Sequence, residues 1–254
     1  MSPLRYLSCY IALTISGPAF SQVIPVEPLT KGFFITQQTM TMLHERRDAE
    51  LTVIVIMGHP GHFDLKVGDH FVKNQTARML RDLSYRSKIK SNVVILDSPS
   101  FLQGIGARSN NDHLGRIESV VAFYKEKFNL PIWLFGHSDG SISVSEYLNQ
   151  SNESKKLLAG AILSAGRDET RATKDWKTPA LVLHHEKDAC DVTTFGGAQR
   201  YFNRIKEKNT STTEFAIVVG GISSGAPCST GYHMYEGAFG ETLGLIEDFI
   251  AKNK

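Results

Sequence analysis

The stretch Pro131-Ile132-Trp133-Leu134-Phe135-Gly136-His137-Ser138-Asp139-Gly140 sets an apolar run directly against a G-x-S-x-G pentapeptide, and a helix-forming segment follows it. A strand that enters a tight turn and leaves as a helix lifts the central serine onto a sharp bend, with its oxygen exposed to a base and to a carbonyl group. Gly136 and Gly140 leave room for the two backbones to pass closely. The pentapeptide alone is a moderately specific signal, so its surroundings and two partner residues must decide its meaning.

Outward from this turn, short apolar runs alternate with longer amphipathic stretches. Strands are expected at 32–36, 51–57, 92–96, 131–135, 158–163, 179–184 and 215–219. Helices are expected at 76–86, 113–128, 141–148, 194–206 and 239–252; in the second, Leu114, Ile117, Val120, Val121 and Tyr124 recur at helical spacing. Near-continuous apolar strands suit a mainly parallel sheet covered by helices on both faces. The fold class is therefore α/β, with the site expected at the carboxyl ends of the strands. The Gly- and Ser-rich segment 220–231 lacks the G-K-[ST] ending of a phosphate loop and reads as a flexible connection.

Ser138 ends a strand, as an exposed nucleophile should. A base is required next, and with nine histidines in the chain position has to choose among them. His233 lies between the last strand and the terminal helix, where its Nε2 can take the Ser138 proton and return it to a leaving group. A carboxylate should follow the strand at 179–184. Glu186, Asp188 and Asp191 all qualify by proximity; Asp188 is preferred, because Glu186 sits close to the strand end and Asp191 is placed to cap the following helix. Asp191 is the second choice.

These residues resemble the α/β-hydrolase superfamily over nearly the whole chain past its first residues. The resemblance is carried by GHSDG around Ser138, by Met57-Gly58-His59-Pro60-Gly61 after an early strand, by Asp188 after a late strand and by His233 after the last. It implies the α/β-hydrolase fold, a Ser138, Asp188, His233 triad in that chain order, and an oxyanion hole. One donor would be the backbone N–H of Asp139 and the other an N–H of the loop at His59. Met57 stands where many relatives carry the histidine of a His-Gly motif, and Pro60 has no N–H to offer.

Neither a metal nor a cofactor is expected. His59 with His62, or His184 and His185 with Cys190, raise the question of zinc, but no C-x-x-C or H-E-x-x-H spacing occurs. The composition, 41% hydrophobic and 21% charged over 254 residues, is that of a globular chain able to bury one substantial core. A net charge of +2 without blocks of like charge gives no footprint for nucleic acid or an anionic membrane surface.

Residues 1–21 differ from the rest: Arg5, an apolar stretch from Tyr6 to Ile15, then Gly17-Pro18-Ala19-Phe20-Ser21. This is the pattern of a secretory signal peptide cleaved before Gln22, and its apolar part is too short to span a bilayer. The remainder, 22–254, is read as one domain, exported to the periplasm or secreted. Loss of the leader removes Cys9 and leaves Cys190 and Cys228, natural disulfide partners in an oxidising compartment. Such a bridge would tie the acid loop to the histidine loop.

Too few residues separate the strands at 158–163 and 179–184 for a helical cap. An uncovered site favours a small or extended acyl substrate. In the loop 98–112, Phe101 and Leu102 offer apolar contacts and Arg108 an anion contact, although an ordinary solvated loop is the simpler expectation. Serine at the elbow argues against the aspartate-dependent dehalogenases and epoxide hydrolases and against the cysteine-dependent lactone hydrolases that the superfamily contains. Cleavage of a carboxylic ester or thioester through an acyl-enzyme is the simplest chemistry left; a peptidase or amidase of the same fold and a silent binding protein are the alternatives.

Overall fold

A computed structural model of the protein describes residues 20–29, 37–59, 61–70, 72–100, 102, 104–150 and 154–254. Eight strands form one sheet: β1 (Phe20–Val26), β2 (Thr39–Glu45), β3 (Leu51–Ile56), β4 (Ser91–Leu96), β5 (Ile132–His137), β6 (Leu158–Ser164), β7 (Ala180–His185) and β8 (Thr213–Val218). Their spatial order is β1-β2-β4-β3-β5-β6-β7-β8. β4 to β8 run parallel with β3, while β1 and β2 add an antiparallel edge. The helices are α1 (Gln75–Tyr85), α2 (Gly104–Arg108), α3 (Asn111–Phe128), α4 (Asp139–Asn149), α5 (Phe195–Lys208) and α6 (Phe239–Lys252).

Alternation along the central strands builds two cores. Val53, Val55, Trp133, Phe135, Leu181 and Leu183 face α1 and α6 through Met79, Leu80, Leu83, Ile246, Phe249 and Ile250. Ile54, Ile56, Ile132, Leu134, Ala180 and Val182 point the other way, onto Leu114, Ile117 and Tyr124 of α3, Val144 and Tyr147 of α4 and Tyr201 and Ile205 of α5. β3, β4, β5 and β7 are buried at every position, which a parallel sheet covered on both faces requires. Fully burying one such apolar side chain contributes about 1.5–3 kcal/mol. The expected central strands and the five expected helices are present within a few residues of their expected bounds.

Two expectations need amendment. β1 and β2 were not anticipated; Pro25 lies in β1, which is an edge strand and tolerates a missing N–H. The strand expected at 32–36 lies outside the described residues, as does the expected leader 1–21 except for Phe20 and Ser21, which open β1. Segment 98–112 is not an ordinary solvated loop: it contains α2, and both Leu102 and Arg108 are buried. Phe101 lies outside the described residues. Residues 165–179 hold no helix, so nothing is inserted there above the sheet. Among the described residues no helix is long and apolar enough to cross a membrane.

Candidate active site

Because the strands from β3 to β8 run parallel, their carboxyl ends gather at one edge of the sheet, and the residues that follow them converge there. Ser138 follows β5 with φ 54° and ψ −124°, an orientation that L-residues avoid and that costs roughly 1–3 kcal/mol. Packing enforces it. A Cβ on Gly58 would come within 2.6 Å of Ser138 Cβ and 2.9 Å of Asp139 N, while a Cβ on Gly140 would collide with the Ile56 carbonyl and one on Gly136 with that of Gly140. Ser138 N–H donates to the Ser164 carbonyl at 2.9 Å, so β6 also holds the bend.

The acid loop follows β7. The Asp188 side chain is fully buried, and its carboxylate accepts from Cys190 N–H at 3.0 Å, Thr193 Oγ1 at 3.1 Å and His233 Nδ1 at 2.8 Å. A carboxylate oxygen that accepts here makes Nδ1 the donor, and in a neutral imidazole this tautomer leaves the lone pair on Nε2. Asp191 is exposed, and the cap of α5 is Thr194, whose side chain accepts from Gly197 N–H. Glu186 is exposed beside Lys187.

His233 lies in a 3₁₀ turn, Gly231–Met234, and is itself 1% exposed. Segment 220–231 is not the flexible connection expected of its composition. It is tied by the Cys190–Cys228 disulfide, by Ile222 N–H to the Glu236 carbonyl at 2.9 Å, and by His185, whose Nε2 donates to the Gly220 carbonyl at 2.9 Å. The ring of His185 also stacks on Tyr232, with centroids 4.5 Å apart.

Ser138 and His233 line one cavity of about 110 Å³, together with Met57, Gly58, His59 and Cys228. The Asp139 N–H opens α4, where a first-turn donor has no acceptor inside the helix. Its carboxylate is turned away and lies 3.3 Å from Arg167 Nη1. His59 is exposed at the cavity mouth.

Two histidines to which the sequence assigned no part in the triad flank this group. His137 is buried beneath the elbow, 5.1 Å from the His233 ring, with Nδ1 3.1 Å from Ser164 Oγ, which is in turn 2.8 Å from the Tyr235 hydroxyl. Burial, and then the proximity of His233 and His184, holds its pKa well below the ordinary histidine range. His184 donates from Nε2 to the Thr193 carbonyl at 2.9 Å and lies 3.5 Å from Asp188; burial lowers its pKa, against the pull of that carboxylate. Both imidazoles are therefore neutral at pH 7. Thr193, His137 and His184 reach the site through strand pairing and loop closure, which leave no spacing signature in the chain.

Among the described residues, the one group with metal-ligand atoms close together is Cys190, Asp191 and Cys228, within 4.8 Å. Its two sulfurs are bonded to each other and offer no thiolate.

Neither a protein-family model nor a curated protein sequence matches the chain. Solved structures do. A dienelactone hydrolase from Anabaena variabilis superposes with a TM-score of 0.66 at 12% identity, covering 93% of this chain and 99% of its own. A lidless α/β serine hydrolase from Xanthomonas campestris gives 0.59 at 13% identity, covering 93% and 96%. An acylaminoacyl peptidase from Pyrococcus horikoshii gives 0.60 at 14% identity, but there the match takes in 94% of this chain and only 42% of the other. With six parallel strands in the order β4-β3-β5-β6-β7-β8, a strained serine after β5 and these superpositions, the chain has the α/β-hydrolase fold.

Proposed function

We propose that the protein is a serine hydrolase that cleaves carboxylic esters or thioesters of small acyl groups. The observation that carries this reading is the buried 2.8 Å bond between Asp188 and His233 Nδ1, which leaves Nε2 free in a cavity shared with a serine on a strained bend. Ser138 Oγ attacks the substrate carbonyl as His233 Nε2 takes its proton. The negative charge on the tetrahedral oxygen is met by the N–H groups of Asp139 and His59. Collapse breaks the ester bond, and His233 returns the proton to the departing alcohol or thiol. Water then repeats the sequence on the acyl-enzyme, with His233 again the base, and releases the carboxylic acid.

The reacting cavity of about 110 Å³ suits a short acyl group. A second cavity of about 600 Å³, lined by Phe63, Leu65, Val72 and Lys73, shares Asn74 with it and gives room for the rest of the substrate. Residues 22–254 act as one catalytic domain in this reading, exported to an oxidising compartment after removal of residues 1–21. The disulfide supports that location. The chemistry needs no metal, cofactor, nucleic acid or membrane.

The test is covalent labelling by a fluorophosphonate, followed by peptide mapping, on the wild type and on Ser138→Ala. Labelling at Ser138 together with turnover of p-nitrophenyl acetate or butyrate, lost by roughly 10⁶-fold in Ser138→Ala, is the expected result. Folded protein that neither labels nor hydrolyses these esters would overturn the proposal. N-terminal sequencing of the protein recovered from its native compartment checks export, which requires a mature chain beginning near Gln22.

A further inference from the structure

Arg108 ends α2, which packs against α4, and it is 0% exposed. Its Nη1 donates to the Met57 carbonyl at 3.0 Å and lies 3.4 Å from Ser143 Oγ, an oxygen also 2.8 Å from His113 Nε2. Nε and Nη2 have no hydrogen-bond partner among the described residues, which is unusual for a buried guanidinium. Burial brings its pKa down only to about 10, with Asp139 opposing the fall, so the group carries a full positive charge at neutral pH. Asp139 is shared with Arg167 at 3.3 Å and is therefore not a dedicated counter-ion.

The position of this charge matters. Met57 and Gly58 line the Ser138 cavity, and Gly58 packs on Ser138 and Asp139. At the other end of the same turn, a Cβ on Gly61 would come within 2.7 Å of the Met57 carbonyl and 3.1 Å of Arg108 Nη2. Gly61 adopts φ +50°, as a turn curling back on itself requires. The Met57 carbonyl and Gly61 thus both lie against the guanidinium, and His59 lies between them in the chain.

We infer that Arg108 is a positioning residue for oxyanion stabilisation. It packs against Met57 and Gly61, fixes the Met57 carbonyl, and so sets the direction of the backbone that carries the His59 N–H. Its desolvated charge also lies against the cavity wall at Met57, where a low dielectric strengthens its field on a developing oxyanion. The inference rests on the hydrolase reading above. Substrate in its ground state has little negative charge on the carbonyl oxygen, so loss of Arg108 should slow turnover far more than it weakens binding.

The experiment compares the wild-type protein with Arg108→Met, which removes charge and donors, Arg108→Gln, which keeps a donor, and Arg108→Lys, which keeps the charge. Rates on p-nitrophenyl butyrate are expressed per site titrated by fluorophosphonate, so that only folded sites count, and inhibition by a phenylboronic acid serves as the tetrahedral-adduct probe. The expected result is a fall in kcat of about 10- to 100-fold for Arg108→Met with KM within about twofold. Boronate affinity should fall in parallel, and Arg108→Lys should recover part of both. Unchanged kcat per titrated site in any variant lacking the charge, or a loss confined to KM, overturns the inference. Should Arg108→Met and Arg108→Gln give no titratable sites, Arg108→Lys decides alone: unchanged kcat and boronate affinity overturn the inference, and a parallel fall in both supports it. A wild type that is inert and unlabelled sinks the hydrolase reading itself, an outcome distinct from an active wild type whose Arg108 variants are equally active.

Discussion

The two walls of the Ser138 cavity are held in place by different means. On the side of the proposed base, Asp188 and His233 sit on loops joined by a disulfide, and Asp188 accepts three hydrogen bonds, from a backbone N–H, a threonine and the imidazole. On the side of the proposed oxyanion donors, Gly58 packs against the elbow, and one buried arginine with two unpartnered donors holds the Met57 carbonyl. The first wall has redundant supports and tolerates the loss of one. The second relies on close approach, so a single added carbon should do more damage there than a lost side-chain contact does opposite.

Asp188→Asn is the sharpest break on the base side, because it leaves the shape intact and changes which tautomer of His233 is favoured. A carboxamide can donate to Nδ1, which then gives up its proton and places it on Nε2, where it blocks proton removal from Ser138. The fall in kcat should be about 10⁴-fold with little change in melting temperature, measured by ester hydrolysis and thermal unfolding. A fall of less than tenfold would mean that the bond between Asp188 and His233 is incidental to turnover.

Gly58→Ala probes the opposite wall. Its methyl group would press on Ser138 Cβ at 2.6 Å and on Asp139 N at 2.9 Å, both rigid parts of the elbow. Displacing an oxyanion donor costs about 10²–10³ in kcat, and fluorophosphonate labelling should slow by a similar factor. Thr193→Val, its counterpart across the cavity, removes one of three bonds to Asp188 and should cost no more than about tenfold. The reverse ranking would break the comparison.

The double change Cys190→Ser with Cys228→Ser asks how far the base wall depends on its covalent tie. The bridge closes a separation of 38 residues, for which loop-closure entropy gives about 4 kcal/mol of stability at most. Denaturant unfolding should show a loss of about 2–4 kcal/mol, while kcat at 25 °C changes only severalfold, since Asp188 and His233 keep their hydrogen bonds. An enzyme that is equally stable but inactive would show that the bridge sets geometry and not stability.

The same contrast explains what was legible in the chain. Strands β3, β4, β5 and β7 declared themselves because full burial in a parallel sheet demands unbroken apolar runs, and Ser138 and Asp188 could be picked as candidates because each closely follows such a run, whereas His233 was chosen by chain order alone. β2, TMTMLHE, mixes residues of both propensities and acquires its strand state by pairing with β1 and β4. Arg108 looked like a loop cation because charge in a sequence implies solvent; only the packing of α2 on α4 removes the water. Composition likewise marked 220–231 as a loose connection, yet its disulfide and the contacts of His185 come from residues that precede it by roughly thirty positions or more and give it no local signature.

Acid stability separates the walls once more. His137 and His184 lie on the base side, His113 beside Arg108 on the other, and His44 in β2; burial comes first among the causes that lower each, to about 3 for His113 and about 4 for His44. Folded values below the unfolded value of about 6.5 mean that the unfolded chain binds more protons once the pH drops beneath 6.5. Stability is then fully present above that pH and lost as pH falls toward 4, by up to about 1.4 kcal/mol per pH unit for each histidine. His113→Gln removes one of these sites without touching Asp188 or His233. The slope of unfolding free energy between pH 6 and 4.5 should flatten by roughly that one increment, measured by urea titration at each pH. An unchanged slope would mean that His113 already accepts a proton in the folded state, and a buried imidazolium beside Arg108 would be two adjacent charges where the packing around Ser143 has room for one.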